Sequence, residues 1–380
     1  MNGLHIGDLR VKLPIVQGGM GVAVSLSGLA SAVANEGGIG VISAAGIGMR
    51  EPDYSTNFYE ANRRALRKEI KIARSLTNGA IGVNIMMALS DHEDLIKVSI
   101  DEGADIVILG AGLPLRIPQM LANAGYKDFH TKIAVKVSSA KAAKLIFQFW
   151  ANKYNILPDA VVVEGPLAGG HLGFKKEELT GDVVPLSVLI EETVKEVRLF
   201  ELQFGKEIPV IAAGGIYTGK DIYEIMQSGA KGVKLGTRFV TTHECDASLA
   251  FKESYLNCTK EDITIINSPV GLPGRAVRNE FIDHVNAGET KPFKCVWKCL
   301  SSCDYTKAPY CIAQALFCAA RGTMNHGFAF AGANAYRATK IMHVSEVFAE
   351  LIAGYDREAI NNQAPVIKNL AEPLQYKKVV

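Results

Sequence analysis

The chain has 380 residues, 48% of them apolar and 21% charged, with a formal net charge of +2. That length suits one elaborated barrel or two average domains, and a core of that size needs no disulfides. There is no basic tract and no apolar run of about 18 residues, so nucleic acid and membrane are not expected partners. With no apolar leader at the N-terminus, the expected compartment is the cytoplasm.

Eight short, β-branched runs follow one another along the chain: Pro14–Gln17, Gly40–Ser43, Gly82–Ile85, Ile106–Leu109, Ile133–Val137, Ala160–Val163, Pro209–Ala212 and Gly232–Leu235. Runs such as Ile133-Ala-Val-Lys-Val and Val161-Val-Val do not alternate, which is how strands buried on both faces of a parallel sheet read. Segments of helical spacing lie between them, among them Ser27–Glu36, Asp91–Glu102, Ala140–Tyr154 and Gly219–Ser228. Eight β-α units in series predict an α/β fold, a closed (β/α)₈ TIM barrel, over residues 1–244. An open doubly wound sheet would need one switch-point fingerprint, whereas here special residues follow nearly every strand. From about Thr241 the repeat stops. Residues 245–340 are expected to form a helical cap with a cysteine cluster, and residues 341–380 a C-terminal helix and tail packing on the barrel.

Barrel chemistry sits at the C-terminal ends of the strands. There the first strand ends in Gln17-Gly18-Gly19-Met20-Gly21, and the third carries Asn84. The fifth carries Lys136, a charge inside a buried run that needs a partner or a pocket. The sixth ends in Glu164, followed by Gly169-Gly170-His171. Ala213-Gly214-Gly215 and Leu235-Gly236-Thr237 end the seventh and eighth, where barrels often hold a phosphate; glycines let backbone N–H groups approach the anion, and a following helix N-terminus would add its dipole. His171, in an apolar glycine-rich loop, is the candidate proton-transfer group.

At these residues the chain resembles the nitronate monooxygenase (2-nitropropane dioxygenase) family, which includes the FMN-dependent enoyl-ACP reductases. The resemblance rests on Pro14-Ile-Val-Gln-Gly-Gly-Met-Gly, Gly82-Val-Asn84, Glu164-Gly-Pro-Leu-Ala-Gly-Gly-His-Leu-Gly, Ala212-Ala-Gly-Gly-Ile and Leu235-Gly-Thr-Arg, with weaker agreement at Phe328–Asn334. It implies FMN in the barrel. Gly18, Gly19, Met20 and Asn84 would contact the ring, with Gln17, Lys136 and Glu164 nearby. Gly169 and Gly170 would lie along the cofactor, and Ala213, Gly214, Gly215, Leu235, Gly236 and Thr237 would surround its phosphate. His171 would be catalytic. In nitronate oxidation with O₂ it would position the substrate or take its α-proton; in the alternative, NAD(P)H-dependent reduction of an enoyl thioester, it would supply that proton. One departure is Ala333-Asn334 after Gly332, where family members often carry a Gly-Gln pair.

Five of the seven cysteines form the run Cys295-x₃-Cys299-x₃-Cys303-x₇-Cys311-x₆-Cys318. Four thiolates, Cys295, Cys299, Cys303 and Cys311, can hold an iron–sulfur cluster or a zinc ion; buried apolar cysteines are the alternative. A non-flavin phosphate-sugar isomerase or aldolase would account for the seventh- and eighth-strand glycines but not for Gln17-Gly-Gly-Met. The expected partner is a small-molecule substrate, and a homodimer stays open.

Overall fold

The computed structural model describes residues 1–295, 297–301 and 303–370; of the expected C-terminal tail, 371–380 lie outside the described residues. Eight parallel strands close into a barrel: β1 (Ile15–Gln17), β2 (Ile39–Ser43), β3 (Ala80–Met86), β4 (Ile106–Gly110), β5 (Lys132–Val137), β6 (Ala160–Glu164), β7 (Val210–Ala213) and β8 (Gly232–Leu235). β8 pairs with β1 and β7 with β6, so the ring has no edge strand. All eight runs read from the sequence are the eight barrel strands.

Side chains alternate along each strand, and that period of two divides the barrel interior into layers. The lower layers are apolar: Val16, Ile39, Val41, Ile106, Ile108, Ala134, Ala160, Val162 and Ile211 are all buried together. An antiparallel hairpin, Leu4–Ile6 with Leu9–Val11, adds Leu4, Ile6 and Val11 to the same cluster and plugs the N-terminal end. The same parity at the other end turns Ser43, Asn84, Lys136, Glu164 and Lys234 inward. The barrel is therefore dry at its base and polar at its C-terminal mouth.

After the barrel come the helices Leu249–Leu256, Glu280–Asn286 and Ile312–Ala320. The segment also carries strands the sequence reading did not anticipate. Ile263–Asn267 and Pro273–Val277 form a hairpin, and its second strand pairs with Gly170–His171. The Ile263-Thr-Ile-Ile run and Gly271, at φ +82°, are the strand and turn signals for it. The C-terminal helix Val344–Leu370 lies on the helix Gly219–Gln227, where a Cβ on Gly219 would stand 2.1 Å from the Leu351 carbonyl oxygen. Only glycine permits that approach.

Asp246, just past the barrel, ties the cap segment to the first barrel helix, Ser27–Asn35. Its carboxylate accepts from the N–H groups of Leu26 (2.7 Å), Leu29 (3.2 Å) and Gly28 (3.3 Å). The helix's own N-cap residue, Leu26, has no side-chain acceptor, so a residue about 220 positions away supplies the cap. Asp246→Ala is expected to destabilise the fold by about 1–2 kcal/mol, read as a lower urea midpoint; an unchanged midpoint would show that water caps the helix as well.

Candidate active site

A cavity of about 230 Å³ opens at the C-terminal mouth of the barrel. His171 lines it, with every cofactor-contact residue expected from the sequence except Gln17. Gln17 is fully buried and points the other way, because its inward neighbour is Val16. Its Oε1 accepts from the Val41 N–H at 2.8 Å. β1 and β2 share a single paired position, Val16 with Ile39, and the Gln17 amide extends that short ladder. Its expected role at the cofactor is corrected to a structural one.

Gly18 and Gly19 are fixed by packing. A Cβ on Gly18 would stand 2.9 Å from the Gly236 Cα, and one on Gly19 would stand 2.4 Å from the Asn84 Cβ. The loop after β1 thus lies directly on β3 and on the loop after β8. At the end of β7, Gly214 (φ +96°) and Gly215 (φ +83°) are consecutive left-handed residues. Asn334 donates to the Gly215 carbonyl at 2.6 Å, and Thr237 Oγ1 accepts from the Gly332 N–H at 3.0 Å. The segment that departs from the family's Gly-Gln pair is thereby stitched to both phosphate-type loops. The helix N-terminus after β7 is closed by a capping box of Thr218 and Asp221, and Asp221 also accepts from Tyr217 N–H. The short helix Thr237–Val240 after β8 starts at Gly236 with no side-chain cap.

Three charged side chains meet in the mouth. Lys136 donates to both oxygens of Glu164 at 2.8 Å. The third, Lys234, was not singled out from the sequence, although a lysine inside Gly232-Val-Lys-Leu carries the same signal as Lys136. It is buried, and no carboxylate stands within salt-bridge reach of it among the described residues. Burial lowers its pKa to about 8; the Lys136 charge acts the same way and Glu164 opposes it. The mouth therefore carries a surplus positive charge at neutral pH.

His171 faces this group from the strand Gly170–His171. Its Nε2 is 2.7 Å from Ser268 Oγ, and its ring stands edge-on to Phe330 with centroids 4.9 Å apart. Ser268 sits in the cap hairpin's turn, so the cap aims the histidine. Burial, reinforced by Lys136, lowers the His171 pKa to about 4. Arg275, also unremarked in the sequence, is buried and donates to the carbonyls of Pro166 (2.6 Å) and Ala168 (2.5 Å). It clamps the loop that leads into Gly169-Gly170-His171.

The four cysteines expected to bind metal line a second, smaller cavity, distinct from the first. Among the described residues no three His, Cys, Asp or Glu side chains are already arranged as a metal site. No helix among the described residues is long and apolar enough to cross a membrane.

The sequence matches the family model for nitronate monooxygenase over residues 4–99 and 89–354. The chain belongs to the nitronate monooxygenase family. Family membership makes it an oxidoreductase acting on small molecules. It is 28% identical to a probable nitronate monooxygenase of Staphylococcus saprophyticus, over 74% of this chain and 79% of that one. It is also 28% identical to the (3aS,4S,5R,7aS)-5-hydroxy-7a-methyl-1-oxo-octahydro-1H-indene-4-carboxyl-CoA dehydrogenase of Mycobacterium tuberculosis, over 74% of this chain and 67% of that one. Among solved structures, FabK from Thermotoga maritima superposes with a TM-score of 0.71 at 26% identity, covering 93% of this chain and 96% of FabK. The barrel and cap described above are thus the architecture of a nitronate monooxygenase family member.

The low His171 pKa gives a direct test. The neutral ring is favoured in the folded state, so its contribution to stability is complete above the ordinary value of 6.5 and is lost as pH falls towards 4. An NMR titration of the His171 ring should show a midpoint near 4. A midpoint near 6.5 would place the ring in water.

Proposed function

We propose that the protein is an FMN-dependent oxidoreductase that oxidises alkyl nitronates with O₂. The observation that carries this reading is a neutral histidine beside surplus positive charge in one cavity. A substrate that arrives as an anion suits Lys234 and Lys136, and a ring with a pKa of about 4 is neutral at neutral pH, an orienting hydrogen-bond group rather than an imidazolium donor.

The residues present fit a phosphate-bearing flavin. Two left-handed glycines in succession, Gly214 and Gly215, and Gly236, where a Cβ would meet nothing closer than 3.5 Å, line the cavity with bare backbone of the kind that lets N–H groups approach an anion. Gly170 is left-handed too, and a Cβ there would meet nothing within 4 Å, so its backbone borders open cavity. When bound, FMN would supply electron acceptance from the substrate and electron transfer to oxygen. The chain's part is to bind and orient. Gly214, Gly215, Gly236 and Thr237 would hold the phosphate. Met20, Asn84 and Gly169 would border the ring, and Lys136 would place a cation at its edge. Phe330 and Ser268 fix the His171 ring, which would position the nitronate over the flavin ring system. Leu316, Phe251 and Tyr255 line the same cavity and make part of its wall apolar.

A second reading, reduction of an enoyl thioester with NAD(P)H, draws on the FabK-like architecture and on the acyl-CoA named for the mycobacterial relative. It requires His171 to donate a proton. Anaerobic mixing separates the two. We expect an alkyl nitronate to bleach the flavin quickly and NADH or NADPH to do so slowly. Fast bleaching by a nicotinamide and reoxidation by crotonyl thioester would favour the reductase. His171→Ala should retain flavin and lose about 10²- to 10⁴-fold in kcat/KM; an unchanged value would remove His171 from catalysis.

A further inference from the structure

The cysteine run is the one strong sequence feature that the flavin reading leaves unused. Cys295, Cys299, Cys303 and Cys311 line a single cavity of about 20 Å³, together with Phe293, Leu300 and Ile312. The four cysteines come from a loop and the start of a helix and meet at this one cavity. All four are free and only partly buried, whereas Cys245 and Cys258 are fully buried. Cysteines that merely fill a core look like the latter pair.

The backbone around them is built as a turn. Lys298 N–H donates to Cys295 Sγ at 3.4 Å, and Lys298 itself is left-handed at φ +48°. The segment is also anchored. Ser90 N–H donates to the Cys299 carbonyl at 3.1 Å, Ser301 N–H donates to the Ala88 carbonyl at 2.9 Å, and Leu89 bridges to Leu300. Trp297 stacks on Phe58 with ring centroids 5.3 Å apart. The thiols are thus held against the loop after β3, at the same end of the barrel as the main cavity. No carboxylate or histidine among the described residues lines the small cavity; Lys298 and Tyr305 border it, and the thiolate donors it offers are the four cysteines. Such a set selects zinc or an iron–sulfur cluster over magnesium, calcium or manganese.

We propose that Cys295, Cys299, Cys303 and Cys311 are the ligands of a four-thiolate metal centre, either an iron–sulfur cluster or a zinc ion. The thiols are not yet closed to ligating spacing; in small cysteine sites ligation and local ordering occur together, so closure is part of binding. The centre has a structural consequence for the larger cavity. Cys311 is the residue that leads into the helix Ile312–Ala320, whose Leu316 lines that cavity. Five residues at about 1.5 Å each put the two sites roughly 7.5 Å apart along that helix. Metal would fix the wall as well as the loop. The proposal does not depend on which cofactor the barrel holds.

The test is iron, sulfide and zinc analysis of the full-length protein purified without oxygen, before and after incubation with ferrous iron plus sulfide or with zinc alone. Iron and sulfide in equal amounts, with broad visible absorption, identifies a cluster; one zinc per chain without colour identifies a zinc site; either supports the centre. Cys299→Ser and Cys311→Ser should each lower metal content about tenfold or more. Cys318→Ser, outside the cavity, should leave it unchanged. Circular dichroism confirms that each variant is folded. Sub-stoichiometric metal in folded wild-type protein after both incubations would overturn the proposal, as would wild-type metal content in folded Cys299→Ser.

Discussion

Two lysines and one glutamate share the mouth of the barrel, and their charges do not cancel. Lys136 and Glu164 form a bidentate pair, while Lys234 stays buried without a carboxylate of its own. A buried ammonium with no counter-charge is costly, which is why its pKa falls. Any anion that enters the cavity relieves that cost. Burial, with the Lys136 charge behind it, keeps His171 neutral. The electrostatics of the mouth thus set both what the site attracts and the protonation state of its histidine. They arise from strand parity: Ala134 and Ala160 in the dry base put Lys136 and Glu164 inward at the top of the same strands.

The rest of the site depends on a second part of the chain holding the first. β6 delivers the loop from Gly165 to Gly173, but four glycines would leave it poorly determined alone. The cap hairpin pairs with Gly170–His171, Arg275 grips the Pro166 and Ala168 carbonyls, and Ser268 fixes the imidazole. Arg275 makes these bonds with no carboxylate opposite it among the described residues, and burial draws its pKa down to about 10. Its contribution is to hold backbone in place. Barrel and cap are therefore one functional unit, and the histidine's aim is a property of the contact between them.

Much of this was legible in the sequence because it depends on local pattern. Eight unalternating β-branched runs specify a parallel barrel, and the glycines at their C-terminal ends mark the mouth. What escaped notice depends on parity or on distant contacts. Gln17 follows an inward Val16 and so had to point outward; counting by two along β1 would have shown it. Lys234 carried the same signal as Lys136 but lies between two motif residues, which drew attention past it. Arg275 and Ser268 gain their roles only when the hairpin folds back over a loop about 100 residues earlier. Asp246 likewise caps a helix that its own sequence leaves open. Such partners have no local signature.

The central claim is that the glycine loops after β7 and β8 bind a phosphate in a mouth of surplus positive charge, and so select FMN. Comparing the affinities of flavin-free protein for FMN and for riboflavin, by fluorescence quenching, tests it most directly. Two charge-assisted hydrogen bonds to the phosphate, at about 1.5 kcal/mol each, amount to roughly a hundredfold. The account predicts that FMN binds tighter than riboflavin by at least about that factor. Equal affinity for the two would contradict it.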